Sequence, residues 1–197
     1  MMANWLLALV MILALGISNV VSANFQSAYD AYRSGEYEQA LTEWQALAKL
    51  GDAKSQFYLG RLYDRGEGVI RDPALAAIWY LRAAKQDFTD AQFALGLLLA
   101  TDTADFADKQ QALNWLLIAA KKDHVNAQYH VGQLYRKSDD ALKDYLRAHM
   151  WTNIAKRGGH DRARLTLVIL EGRMGSDEIA RAWDMARTCI DTGYKSC

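Results

Sequence analysis

At 197 residues, with 51% hydrophobic residues and 23 Lys plus Arg set against 23 Asp plus Glu, the chain is long enough for one domain and carries no net charge. That balance excludes the basic footprint of a nucleic-acid binder or of a protein held on an anionic membrane surface. A single proline and the high apolar fraction exclude a low-complexity or disordered chain and suit a helical one with short turns.

The first feature in chain order is a targeting segment. Residues Trp5 to Ile17 are apolar apart from Gly16, the polar Ser18 and Asn19 follow, and Val21-Ser22-Ala23 places small or apolar residues where a signal peptidase reads. The pattern predicts a signal peptide over residues 1–23, cleaved after Ala23, with no Lys or Arg ahead of the apolar run. The alternative is an uncleaved inner-membrane anchor through residues 5–21, but the run is shorter than the roughly 20 apolar residues that a spanning helix needs. No cysteine lies near its end, so lipid attachment is not expected. An exported, periplasmic or secreted chain follows from this reading.

Residues 24–51 predict a capping hairpin. Tyr29, Tyr32, Tyr37, Ala40, Trp44 and Leu47 alternate small with large on two helices, near 25–33 and 36–50, that turn at Ser34-Gly35. A repeat then begins. Ser55, Ala91, Ala127 and Ala163 are spaced by 36 residues, as are Gly60, Gly96, Gly132 and Val168, and Trp79, Trp115 and Trp151 each follow the glycine slot by 19. A period of this length with a helical pattern means stacked helix pairs, none of which buries its apolar face alone.

The first copy shows the physics of the unit. Ser55, Leu59, Leu62 and Tyr63 share one helical stripe, Gly66 and Gly68 provide a turn, and Asp72-Pro73 restarts the chain as N-cap and first helical residue. Ala76, Trp79 and Ala83 line the second helix, where alanines let neighbouring helices approach and the indole fills the remaining gap. Further helices are predicted near 53–65, 73–86, 89–101, 108–122, 125–137, 141–157, 161–172 and 177–190. The turns at 100–108 and 136–144 hold no glycine and must use Asp, Thr and Ser chemistry.

Residues 52–87 resemble the Sel1-like repeat family, a relative of the tetratricopeptide repeats. The family pattern falls on Leu59, Gly60, Tyr63, Gly66, Gly68, Val69, Asp72, Ala76, Trp79, Ala83 and Ala84, with Ser55 in place of the first alanine. The second and third copies keep the ends of the pattern and lose its middle. The resemblance implies an all-α, right-handed α-solenoid of stacked antiparallel helix pairs, with the first helix of each pair lining a concave groove. Its expected divisions are the signal peptide 1–23, the capping hairpin 24–51, repeats at 52–87, 88–123 and 124–159, and a degenerate capping repeat at 160–197. In that last copy Trp183 follows Val168 by only 15 residues.

Cys189 and Cys197 are the only cysteines, and in an exported chain two such residues read as one disulfide that pins the C-terminus. Catalytic signals are sparse. His130 and His149 occupy slots filled by apolar residues in other copies, which reads as packing, and His124 and His160 precede helices, where capping suffices. The sequence has no HExxH, no nucleophile elbow and no phosphate loop, so no catalytic residue, metal or cofactor is expected.

The expected site is therefore a surface. Phe57, Phe93 and Tyr129 recur two places after the small residue, as a ring ladder along the groove or as inter-repeat packing. Beside them run Gln56, Gln92, Gln128 and Arg164, and Arg61 and Gln133 follow the glycine slot. Their amide and guanidinium groups suit hydrogen bonds to an extended peptide. The function this predicts is a non-enzymatic scaffold that binds a protein or peptide of the cell envelope, with no nucleic acid and no membrane insertion once the signal is removed. The alternative is a cell-envelope hydrolase or β-lactam-binding enzyme that uses a side chain such as His130. The secreted branch of the family linked to penicillin binding carries a cysteine pair in every repeat, whereas this chain carries one pair in total.

Overall fold

Helix pairs stack in sequence order, and each half of the chemistry that joins them recurs at the 36-residue pitch. The computed structural model describes residues 24–101, 106–137 and 144–197. The expected signal segment lies outside the described residues, as do the middles of the two glycine-free turns. Among the described residues ten helices follow one another: α1 (Phe25–Arg33), α2 (Tyr37–Lys49), α3 (Ala53–Arg65), α4 (Pro73–Lys85), α5 (Thr89–Leu99), α6 (Lys109–Ala120), α7 (Val125–Lys137), α8 (Tyr145–Arg157), α9 (Ala163–Glu171) and α10 (Ser176–Asp191). The first eight form antiparallel pairs, and each pair packs on the next through α2 on α3, α4 on α5 and α6 on α7. This is an all-α solenoid.

Local chemistry explains the boundaries. Asp72, Asp108 and Asp144 each accept a hydrogen bond from the backbone N–H three residues on, at 2.9 Å, capping α4, α6 and α8. Gly66 ends α3 in the left-handed region, as its place in the turn requires. The turns between repeats share a second left-handed position at Gly51, Asp87, Asp123 and Gly159. One residue later, the N–H groups of Asp52, Phe88, His124 and His160 reach back five residues to Leu47, Ala83, Ala119 and Ala155. Lys122 binds the carboxylate of Asp87 from the next repeat, so the two aspartates that adopt this backbone are anchored from outside, Asp123 by Tyr194.

The core is a run of three hydrophobic clusters. The first joins Ala28, Trp44, Leu59 and Trp79, the second Ala76, Tyr80, Leu95 and Ala112, and the third Leu116, Val131, Trp151 and Leu170. Small residues set the spacing within each pair. A Cβ on Gly96 would stand 2.6 Å from Leu116 Cγ, and one on Gly132 would stand 2.5 Å from Thr152 Oγ1, so only glycine allows the paired helices to come this close.

The last copy departs from the pattern. Helix α10 packs against α8, and Trp183 does not take the buried seat of Trp79 or Trp151. It is 41% exposed, with its indole edge-on to the His149 imidazole and Lys156 Nζ 5.7 Å from its ring centre. A disulfide joins Cys189 to Cys197. The loop it closes places Tyr194 parallel to Trp151 and hydrogen-bonded to Asp123 and Gln128, which clasps the chain end onto the third repeat.

Candidate ligand-binding face

Odd-numbered helices of neighbouring repeats meet side by side. Tyr29 of α1 meets Tyr58 of α3 with ring centres 5.6 Å apart, Phe93 of α5 meets His130 of α7 at 5.7 Å, and Gln133 of α7 donates to Thr166 Oγ1 of α9 at 3.2 Å. On the other side, a cavity of about 230 Å³ lined by Ala77, Ile78, Leu81 and Trp115 keeps α4 and α6 apart. These contacts put α1, α3, α5, α7 and α9 on one face of the array, the face that the repeat resemblance makes concave.

The expected amide row is not on that face. Gln56, Gln92 and Gln128 are buried, at 5%, 2% and 2% exposure. Each Nε2 donates to the backbone carbonyl eight residues upstream, on Ala48, Ala84 and Ala120, at 3.1 to 3.2 Å. These three glutamines stitch each repeat to the end of the preceding helix, and they have no amide left for an extended ligand. A polar residue inside a helical stripe was expected to face solvent, whereas the carbonyls at the preceding helix C-terminus, each holding one turn N–H, accept a second, buried bond from it. Arg164, the fourth member of the row, is exposed at the start of α9.

The ring ladder is chiefly inter-repeat packing. Phe57 lies 5.3 Å from Phe88, Phe93 lies 4.4 Å from His124, and Tyr129 stacks at 3.9 Å on His160, in each case on the residue that opens the next repeat. The rings remain half-buried, so one edge of each faces the groove. His124 also caps its helix, its Nδ1 accepting from the Ala127 N–H at 3.1 Å, which fixes the proton on Nε2, near Asp90.

Two residues of the expected site do present polar groups on the concave side. The Arg61 guanidinium lies 4.6 Å from the ring centres of both Tyr32 and Tyr58, a cation between two aromatic rings. Gln133 is half-buried, taking Arg136 on its Oε1 at 2.7 Å while it donates to Thr166. Tyr58, which stands two 36-residue pitches before His130, closes this cluster, and that register was the available signal.

Electrostatics follow from burial. The His130 imidazole is pushed down to about 4 by burial first, then by His160, Lys137, Arg162 and His124 around it. Burial also lowers His124 against the pull of Asp90, and lowers His160. No carboxylate figures among the groups that set the charge of His130, so a general-base role has no orienting partner there. Among the described residues no group of three or more His, Cys, Asp or Glu is placed to hold a metal.

A family model described as the Sel1 repeat matches residues 53–88, 89–124 and 125–160. The chain belongs to the Sel1-repeat family. A crystal structure of a Sel1 repeat protein from Oxalobacter formigenes superposes on this Sel1-repeat chain with a TM-score of 0.66 at 32% identity, covering 74% of this chain and 60% of that one. A protective antigen of uropathogenic Escherichia coli displaying an SLR fold is 22% identical over 89% of this chain and 47% of its own, with a TM-score of 0.49. In sequence, a 54-residue stretch is 44% identical to chitin synthase regulatory factor 3 of Schizosaccharomyces pombe, covering 27% of this chain and 6% of that protein. The chain thus spans less than two thirds of the length of these relatives.

Proposed function

We propose that this Sel1-repeat protein is an exported, non-catalytic scaffold that grips a protein or peptide on its concave face. The observation that carries the reading is the Tyr32-Arg61-Tyr58 sandwich, a pre-ordered cation with aromatic walls on the inner side of the curve, continued by the half-open edges of Phe93, His130 and Tyr129. Half-buried rings and one ordered guanidinium offer contact area at low entropic cost, as binding hot spots do. The buried glutamines support the same division of labour, since inter-repeat adhesion uses the amides and leaves the ring edges to a ligand.

Export rests on the signal pattern of residues 1–23 and on the Cys189–Cys197 bridge, which belongs to an oxidising compartment. Among the described residues no helix is long and apolar enough to cross a membrane. The signal pattern supports the finer placement, periplasmic or secreted, and a ligand of the cell envelope.

The test compares crosslinked captures from the intact protein and from an Arg61→Ala variant, which removes the cation and leaves both rings in place. A species lost in the variant while far-UV circular dichroism is unchanged supports the concave site; identical captures reject it. Hydrolysis of a chromogenic β-lactam that disappears in His130→Ala would instead establish the enzyme reading.

A further inference from the structure

Among the described residues helix α9 is the one member of the inner row that lacks its hairpin cover. In the first three repeats the glycine slot lies under the second helix of the same pair, with Tyr80, Leu116 and Thr152 against Gly60, Gly96 and Gly132. In the fourth, α10 lies on α8, and the slot holds Val168, 62% exposed. Leu165 at 67% and Ile169 at 41% complete an apolar stripe with spacing i, i+3, i+4. At the corresponding positions of the first three repeats, every residue is buried or half-buried. The stripe is therefore the open end of the packing surface that joins all the other helix pairs.

Among the described residues the other end of the array shows no comparable apolar stripe along a helix. There α1 exposes Gln26, Asp30 and Arg33, and α2 exposes Glu38, Gln39 and Thr42. Head-to-tail stacking would press these polar groups onto the apolar stripe and strip them of water without partners. Stripe against stripe has no such cost. A two-fold axis would run the two α9 helices antiparallel, with Arg162 and Arg164 at the start of one beside Glu171 and the C-terminal carbonyls of the other, where cations are favoured. The chain's zero net charge adds no long-range repulsion.

We propose that two copies of this chain associate tail to tail through α9, with Leu165, Val168 and Ile169 of each meeting across a two-fold axis. Three side chains on a nine-residue helix bury well under the roughly 800 Å² per partner of a stable interface, so the pair is a weak one. The seam uses the α9 end of each concave row and leaves the Tyr32, Arg61 and Tyr58 cluster at the far end of each copy free, so two weak grips joined in one dimer give avidity for a repeated ligand.

Sedimentation equilibrium of the full chain tests this. The expected result is a monomer–dimer equilibrium with a dissociation constant of about 10–100 μM. Leu165→Glu with Val168→Glu should weaken it at least about tenfold by burying like charges, with unchanged circular dichroism because both positions face solvent. Because Val168 lies near the proposed axis, a Val168→Cys variant should form an intermolecular disulfide faster than a Gln26→Cys control at the polar end. A monomer at up to about 1 mM, association that survives the double glutamate change, or Val168→Cys crosslinking no faster than the control would each overturn the proposal.

Discussion

The Gln92 side chain donates to the carbonyl of Ala84 at 3.2 Å and to the carboxylate of Asp87 at 3.1 Å, so one buried amide holds both the end of α4 and the left-handed residue that follows it. The same grip joins Gln56 to Ala48 and Gln128 to Ala120. The joint between repeats is thus polar at its centre and apolar around it.

Replacing Gln92 by leucine should cost about 1–2 kcal/mol, since the Ala84 carbonyl keeps its bond from the Asp87 N–H but Asp87 loses its inward partner. Urea unfolding checks this. Arg164→Leu, at the exposed fourth position, should change stability by less than about 0.5 kcal/mol.

A methyl group on Gly96 would strike Leu116 at 2.6 Å. Gly96→Ala should destabilise by about 1–3 kcal/mol through overpacking. Adding Leu116→Ala makes room for the methyl, so the double variant should cost less than the sum of the single ones, a coupling that a double-mutant cycle measures.

Acid should weaken the fold before its carboxylates titrate. His130 titrates at about 4 when folded, below its ordinary 6.5, so the unfolded chain takes up the proton first. Stability is then full above about pH 6.5, falls as pH drops toward 4 and levels off below. His124 and His160 shift in the same direction and add to the slope, whereas the lowered Asp87 and Asp108 contribute only below the ordinary carboxylate value of 3.8. Urea midpoints measured from pH 7.5 down to 4.5 should show this decline, and His130→Gln should flatten it.

Opening the C-terminal bridge should loosen the clasp as well as the loop. Cys197→Ser removes a closure between residues eight apart, worth about 2–3 kcal/mol in the chain-entropy model. Tyr194→Phe removes the hydroxyl bonds to Asp123 and Gln128 and should cost about 1 kcal/mol with the bridge intact. Calorimetry of both variants, with hydrogen exchange at Asp123 and Gln128, separates the two effects. The Tyr194 phenol itself is pushed up to about 12 by burial and by its bond to Asp123, so it stays protonated throughout the neutral range.

The periodic part of this molecule could be read without coordinates because its stacking interactions recur at fixed positions. Trp79 and Trp151, and the glycines at 60, 96 and 132, have their roles written in the 36-residue pitch, since only one residue size fits each joint. The left-handed turn position was equally periodic at Gly51, Asp87, Asp123 and Gly159 and was missed, because two aspartates stand where glycine would have marked it. The buried glutamines were placed on the wrong side for a related reason. An amide is equally at home facing water or a buried carbonyl with a lone pair to spare, and residue type alone does not separate these.

What the amino-acid order determined by itself is the architecture, stacked helices at a fixed pitch with antiparallel pairing through the full repeats, because helical periodicity and small-to-large pairing are local properties repeated along the chain. Only the tertiary structure decided which polar groups were used internally, where α10 came to rest and which face of α9 was left bare. Those outcomes depend on contacts between residues distant in the chain, such as Tyr194 with Asp123 and Trp183 with His149, whose partners no local pattern announces.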